Sequence, residues 1–133
     1  MSQKASAPRL VLSDPDTGTA KTIQLTPQQF VVFRGKKIGD VIDGGPLGLG
    51  DVKIRITGGS DLAGFPMRED VSGTRLARVL LTRGVGFKAR RKPPSKRKKR
   101  RNRRTVKGLR KRVSVRGNTI SDAIVQINAI VVR

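Results

Sequence analysis

The sequence predicts a mainly β protein: a small closed β-barrel of short strands that carries a long basic insertion arm. No segment shows a helical apolar period over three or more turns, whereas several short segments are rich in β-branched residues. Fifteen glycines among 133 residues supply turns between these segments. Many short strands joined by Gly-rich turns are typical of small barrels. The insertion arm is predicted from one uninterrupted basic block.

The first quarter of the chain predicts a hairpin. Residues 1–8 are expected to be a flexible N-terminal arm, followed by a single β-barrel domain over residues 9–133. Residues 10–12 (LVL) predict a strand, and residues 13–18 (SDPDTG) contain strong turn formers. Residues 22–25 alternate polar and apolar side chains, which indicates the second strand of the hairpin.

Residues 28–33 are compatible with either a helix or a strand. Pro27 followed by two glutamines favours a helix start, whereas the sequence Phe-Val-Val-Phe favours a strand.

Three further strands are predicted in the rest of the chain. In the first, Val52, Ile54 and Ile56 lie on one face, and the opposite face carries Lys53, Arg55 and Thr57. Residues 79–81 form a short strand that ends at residues 82–84. Residues 124–132 form the last strand, whose apolar face is predicted to contain Val125, Ile127, Ala129 and Val131.

The basic block is the strongest functional signal. Between Val71 and Ser121 the chain has twenty Lys and Arg residues and no Asp or Glu, and sixteen of these cations lie in residues 88–112. Such a segment repels itself and has few apolar side chains to offset the entropy of ordering. A polyanion removes the repulsion and releases counterions. Residues 88–112 therefore predict a nucleic-acid-binding insertion, in which Ser95 is positioned to cap a helix that runs to about Arg104.

Composition argues against several other functions. The chain has no His and no Cys, so the usual general base and thiolate metal ligands are missing, and it has no phosphate-binding loop motif. We therefore expect no enzymatic activity, metal, cofactor or small-molecule substrate. The longest apolar runs are four residues, and the start lacks the apolar region of a signal peptide, so no membrane partner is expected.

Folded RNA is the predicted partner. With no Trp, no Tyr and four Phe, the chain lacks a base-stacking platform, so recognition of shape and phosphate is expected. The alternatives are a nonspecific tail or nuclear-import signal, a DNA-compacting chromatin-like protein, and a small hydrolase or phosphotransferase that uses the Gly/Asp-rich middle. The predicted RNA-binding residues are all cations: Arg68, Arg75, Arg78, Arg83, Lys88, Arg90, Arg91, Lys92, Lys96, Arg97, Lys98, Lys99, Arg100, Arg101, Arg103, Arg104, Lys107, Arg110, Lys111, Arg112 and Arg116.

Residues 56–67 (ITGGSDLAGFPM) carry a family resemblance. Their pattern is aliphatic, small, Gly-Gly, any residue, Asp, any two, Gly, any residue, Pro-Met. It resembles the signature of the archaeal and eukaryotic ("e" type) family of small-subunit ribosomal protein six. Residues 13–18, 37–40, 84–87 and 115–128 extend the resemblance.

The resemblance implies a β-barrel that binds ribosomal RNA and neighbouring ribosomal proteins in the cytoplasm, with no catalytic role. The chain departs from the family in its N-terminal arm and in an insertion between Phe87 and Val115 that is longer than the usual archaeal one. Since the sequence ends at Arg133, we expect the short archaeal form of the family and not the eukaryotic form with its phosphorylated C-terminal extension.

Overall fold

The computed structural model describes residues 7–91 and 104–132 of the chain. Within these ranges it contains a single-turn 3₁₀ helix at Gly45–Leu47 and a mixture of short strands with one α-helix. In chain order these elements are β1 (Arg9–Asp14), β2 (Thr19–Gln24), α1 (Pro27–Phe33), β3 (Val41–Asp43), β4 (Lys53–Asp61), β5 (Leu76–Leu81), β6 (Arg90–Arg91), β7 (Arg104–Thr105), β8 (Lys111–Arg116) and β9 (Ile124–Val132).

Five of the strands form one sheet in the order β2-β1-β9-β4-β3. The predicted hairpin is β1 and β2, which pair antiparallel from Arg9 opposite Gln24 to Asp14 opposite Thr19. The C-terminal strand β9 lies at the centre, parallel to β1 and antiparallel to β4. Its β-branched residues suit this position, because a central strand is covered on both edges and at least one face.

The predicted barrel closure is wrong, because no sheet among the described residues is closed. The five-stranded sheet ends at β2, which is exposed along most of its length, and at the three-residue strand β3. Helix α1 packs against this sheet, since Phe30 and Phe33 are buried in its core. The remaining strands pair among themselves instead of extending the sheet to closure.

The segment after Thr26 is a helix, which decides between the two structures that its sequence allowed. The Thr26 hydroxyl accepts a hydrogen bond from the Gln29 amide (3.3 Å), and the Gln29 side chain accepts one from the Thr26 amide (3.1 Å). This capping box and the proline at the first helical position stabilise the helix start. The Phe-Val-Val-Phe run thus buries Phe30 and Phe33 on one side of a helix and not on a strand face.

The apolar face of β9 differs from the prediction at one residue. Ile127, Ala129 and Val131 are buried as expected, but Ile124 is buried where Val125 was expected. A bulge is the cause: Ser60 pairs with Gln126 and Asp61 pairs with Ile124, which leaves Val125 without a partner on β4. One extra residue in a strand reverses the faces of all residues beyond it.

The other long strand pair, β5 and β8, forms a two-stranded ribbon with its own small core. Val71, Leu81 and Val115 are buried there, with Ala77, Val79, Phe87 and Val113 packed around them. Residues 66–68 connect the ribbon to the sheet by hydrogen bonds. The Met67 amide donates to the Gly59 carbonyl (2.9 Å), and the Arg116 amide donates to the Pro66 carbonyl (2.8 Å).

Candidate nucleic-acid interface

Charge is divided unequally between the two parts of the molecule. Residues 1–70, which include β1 to β4, carry nine cations and eight acids, a net charge of +1. Residues 71–121, which include the β5–β8 ribbon, carry twenty cations and no acid. Nearly the whole net charge of +21 therefore belongs to the ribbon and to the chain between its two strands. Such a one-sided field attracts a polyanion to one side of the domain.

Most of the predicted RNA-binding cations in the described part of this region are exposed. The described ion pairs are Arg34–Asp122, Arg68–Asp70 and Arg116–Asp61. None of these involves an exposed cation of the ribbon region, so within the described ranges the positive charge there is not neutralised. The exposed predicted residues are Arg75, Arg78, Arg83, Lys88, Arg90, Lys107, Arg110, Lys111 and Arg112.

Strands β6 and β7 bring the two ends of the most basic segment together. Arg90 pairs with Thr105 and Arg91 pairs with Arg104, and the Val106 amide donates to the Ala89 carbonyl (2.9 Å). Residues 92–103 connect these two paired strands. Eight predicted site residues lie outside the described residues: Lys92, Lys96, Arg97, Lys98, Lys99, Arg100, Arg101 and Arg103. The helix predicted from Ser95 also falls outside them, except that Arg104 belongs to β7.

Arg116, another predicted RNA-binding residue, contacts the protein itself. Its Nε donates to Asp61 Oδ2 at 2.8 Å, and its Nη1 donates to the Thr74 carbonyl at 3.2 Å. Asp61 is buried, and its other oxygen accepts a hydrogen bond from the Phe65 amide at 2.9 Å. The aspartate of the family signature therefore caps its own turn, as expected of Asp in such a loop, and also joins β4 to β8.

Arg68 is also held within the protein. Its Nη1 donates to the Val85 carbonyl at 2.8 Å, which ties the segment after the signature to the turn between Gly84 and Phe87. Its Nε lies 2.7 Å from Asp70 Oδ1 but is buried and makes no hydrogen bond, so this contact is an ion pair only. These contacts fit a structural role for Arg68 and Arg116 at the joint, by which we mean the contact region between the sheet and the ribbon, better than a role in binding phosphate.

Sequence reasoning did not find this joint. Asp61 and Arg116 are separated by 55 residues, and one acid and one cation give no signal that they pair. The only hint is that Asp61 is a fixed position of the signature and is flanked by glycines and apolar residues.

The described residues offer little else of a chemical site. A cleft of about 470 Å³ beside Arg68 is lined by Gly59, Met67, Glu69, Asp70 and their neighbours. No cluster of His, Cys, Asp or Glu within residues 7–91 and 104–132 could hold a metal ion. In the same ranges no helix has the length and apolar character needed to cross a membrane.

Taken together, the fold and the charge define a basic β-domain that presents a cationic ribbon beside a nearly neutral sheet. Comparison with known proteins identifies the family. The sequence model of the family described as Ribosomal protein S6e matches residues 8–104 and 99–133, which together cover almost the whole chain. The chain belongs to the ribosomal protein S6e family, which confirms the resemblance seen in its sequence.

Relatives of known name agree with this assignment. Three are archaeal proteins named small ribosomal subunit protein eS6. The one from Methanosphaera stadtmanae is 46% identical over 120 residues, which are 90% of this chain and 79% of the relative. The one from Methanocaldococcus jannaschii is 44% identical over 93% of this chain and 81% of its own length. The one from Archaeoglobus fulgidus is 44% identical over 94% of this chain and 86% of its own length. Because this family is a structural component of the ribosome, the prediction that the chain is not an enzyme is confirmed.

Proposed function

We propose that this protein is a structural constituent of the small ribosomal subunit, bound to the ribosome in the cytoplasm, where it stabilises folded ribosomal RNA. The observation that carries the proposal is the division of charge, in which residues 71–121 hold twenty cations and no acid. The names of the archaeal relatives support the small subunit as the place where the RNA is found.

The proposed mechanism is electrostatic and positional. Folding a large RNA brings phosphates of different helices close together, and the resulting repulsion must be neutralised. Arg and Lys side chains do this while they release condensed counterions, and Arg also forms paired hydrogen bonds to phosphate oxygens. The proposed contacts are the exposed cations of the ribbon and the eight cations of the sequence between Arg91 and Arg104.

Arg68 and Arg116 have a different proposed role. Both are predicted RNA-binding residues, but their guanidinium groups are engaged with Val85, Thr74, Asp70 and Asp61. We propose that they hold the ribbon in a fixed orientation to the sheet. The joint then positions the RNA-binding surface of the protein, and the exposed cations bind the RNA.

Competition binding tests the proposal. The full-length protein is mixed with labelled, deproteinised small-subunit ribosomal RNA and challenged with duplex DNA of equal length at two salt concentrations. Phosphate contacts weaken with salt, with a log–log slope of about 0.7 to 0.9 per phosphate neutralised, whereas contacts that depend on RNA shape weaken less. We therefore expect the preference for RNA to persist at the higher salt. Equal affinity for both polymers at both concentrations would favour the chromatin-like alternative.

A further inference from the structure

The two faces of the β5–β8 ribbon differ in what covers them. Cross-strand partners in an antiparallel pair point to the same face, so Ala77 and Val79 lie with Val115 and Val113 on the face that packs against the small core. The opposite face has no such cover. We call it the outer face; its residues are Leu76, Arg78, Leu80, Arg112, Ser114 and Arg116, the last of which is paired with Asp61.

Two leucines are exposed on this outer face. Leu80 is 61% exposed and Leu76 is 45% exposed, although both belong to the regular strand β5. Arg112 is directly opposite Leu80, and Arg78 is two residues before Leu80 on the same side of β5. The side chain of Leu80 is therefore bordered by two guanidinium groups that form no ion pair with any described residue.

We infer that the outer face binds RNA directly, with Arg78 and Arg112 on phosphates and Leu80 packed against a ribose or an unstacked base between them. The inference rests on the proposed function and adds a rigid, partly apolar contact to the electrostatic contribution of the arm. Residues on a strand pair are held at fixed spacing, so this contact depends on RNA shape in a way that a charged tail does not.

Charge complementarity favours RNA over a protein as the occupant. No acid occurs between Val71 and Ser121, so the outer face itself carries no acid, and Asp61, which pairs with Arg116 at its end, is buried. The buried centres of protein–protein interfaces are depleted in charged residues, whereas interfaces with nucleic acids are positively charged and polar. A leucine between two unpaired arginines matches a sugar–phosphate backbone, which offers apolar carbon atoms beside anionic oxygens.

The test separates the leucine from the arginines. Affinity for deproteinised small-subunit RNA is measured over a salt series for full-length wild type, Leu80→Thr and Arg78→Gln. Threonine preserves strand propensity and removes the apolar contact, so Leu80→Thr should lower affinity about fivefold at every salt concentration and leave the salt slope unchanged. Arg78→Gln should lower the log–log slope by about 0.7 to 0.9.

Matched controls lie in the nearly neutral part of the molecule. Leu62 is 65% exposed in the signature turn, and Arg55 is exposed on β4. Leu62→Thr and Arg55→Gln should change neither affinity nor slope. Thermal unfolding of all four variants verifies that each is folded, since every substituted side chain is on the surface.

The remaining outcomes contradict the inference in distinguishable ways. If wild type does not prefer RNA over duplex DNA, the proposed function fails and the inference fails with it. If wild type keeps its preference but Leu80→Thr binds as wild type does, the outer face is not an RNA contact and only the inference is lost. If Leu80→Thr binds free RNA normally but is lost from assembled small subunits in a high-salt wash, the face contacts a neighbouring protein instead.

Discussion

The buried ion pair between Asp61 and Arg116 gives the sharpest prediction about stability. The Asp61 side chain is 3% exposed and accepts two hydrogen bonds, one from Arg116 Nε and one from the Phe65 amide. Hydrogen bonds to a charged group contribute about 1.5 to 3 kcal/mol each, and breaking a buried pair by removing one partner costs about 3 to 5 kcal/mol. The Arg116 side chain is 23% exposed, so water partly replaces the lost partner.

We therefore expect Asp61→Ala to lower the free energy of unfolding by about 2 to 4 kcal/mol. Asp61→Asn should cost less, about 1 to 3 kcal/mol, because the amide oxygen still accepts the Phe65 hydrogen bond while its NH₂ group faces the Arg116 donor. Urea unfolding measures both values. If the slope of the unfolding free energy against urea concentration is the same as in wild type, the shift of the unfolding midpoint reflects a change in stability.

A second Asp–Arg pair provides the matched control. Asp122 pairs with Arg34 at the surface, where the two side chains are 75% and 54% exposed. Exposed pairs contribute about 0 to 1 kcal/mol, so Asp122→Asn should change the free energy of unfolding by less than about 0.5 kcal/mol. Equal effects of Asp61→Asn and Asp122→Asn would refute the reasoning, because burial would then not determine the strength of the pair. In RNA binding, Arg116→Gln should leave the salt slope unchanged; a fall of about 0.7 to 0.9 would make Arg116 a phosphate contact.

Two other predictions concern the signature glycines and the arm. A Cβ at Gly59 would lie 2.4 Å from the Gln126 carbonyl oxygen, whereas one at the adjacent Gly58 meets nothing within 4 Å. Gly59→Ala should therefore lower the free energy of unfolding, measured in urea, by about 2 to 4 kcal/mol, and Gly58→Ala by less than about 0.5 kcal/mol. Similar losses for both variants would contradict the close approach of β4 and β9 at Gly59. Replacing residues 92–103 by Asn-Gly should allow β6 and β7 to form a hairpin with a two-residue loop, and the free energy of unfolding should stay unchanged within about 0.5 kcal/mol. The log–log salt slope of RNA binding should fall by up to about 7, since eight cations are removed. An unfolded replacement variant would show that the arm contributes to the core.

The elements that sequence analysis identified are those with a local signal. Alternation in β4, the turn formers after β1 and the β-branched run of β9 each depend on neighbours within a few residues. The basic block also needs no tertiary information, because its charge follows from composition.

What sequence analysis missed depends on distant residues. The bulge at Val125 arises because Ser60 and Asp61 pair with the residues on either side of it, and the sequence around Val125 contains no signal for a bulge. The barrel prediction failed for the same reason: whether the edge strands β2 and β3 have further strand partners depends on distant residues, which local propensity does not determine.

The same long-range contacts explain why the two parts of the molecule need each other. In the described residues the main core has fifteen buried apolar side chains, whereas the ribbon core has three. The part with the smaller core also carries the unopposed positive charge, and self-repulsion lowers the stability of a compact state. The ribbon is therefore the less stable part and is held in place by the 66–68 segment and the Asp61–Arg116 pair. A polyanion bound to the ribbon reverses this balance, because a ligand at 100 times its Kd adds about 2.7 kcal/mol to the folded state. Under the proposed function, the sheet thus supplies the stability that orients the ribbon before binding, and bound RNA would supply the stability that the ribbon lacks.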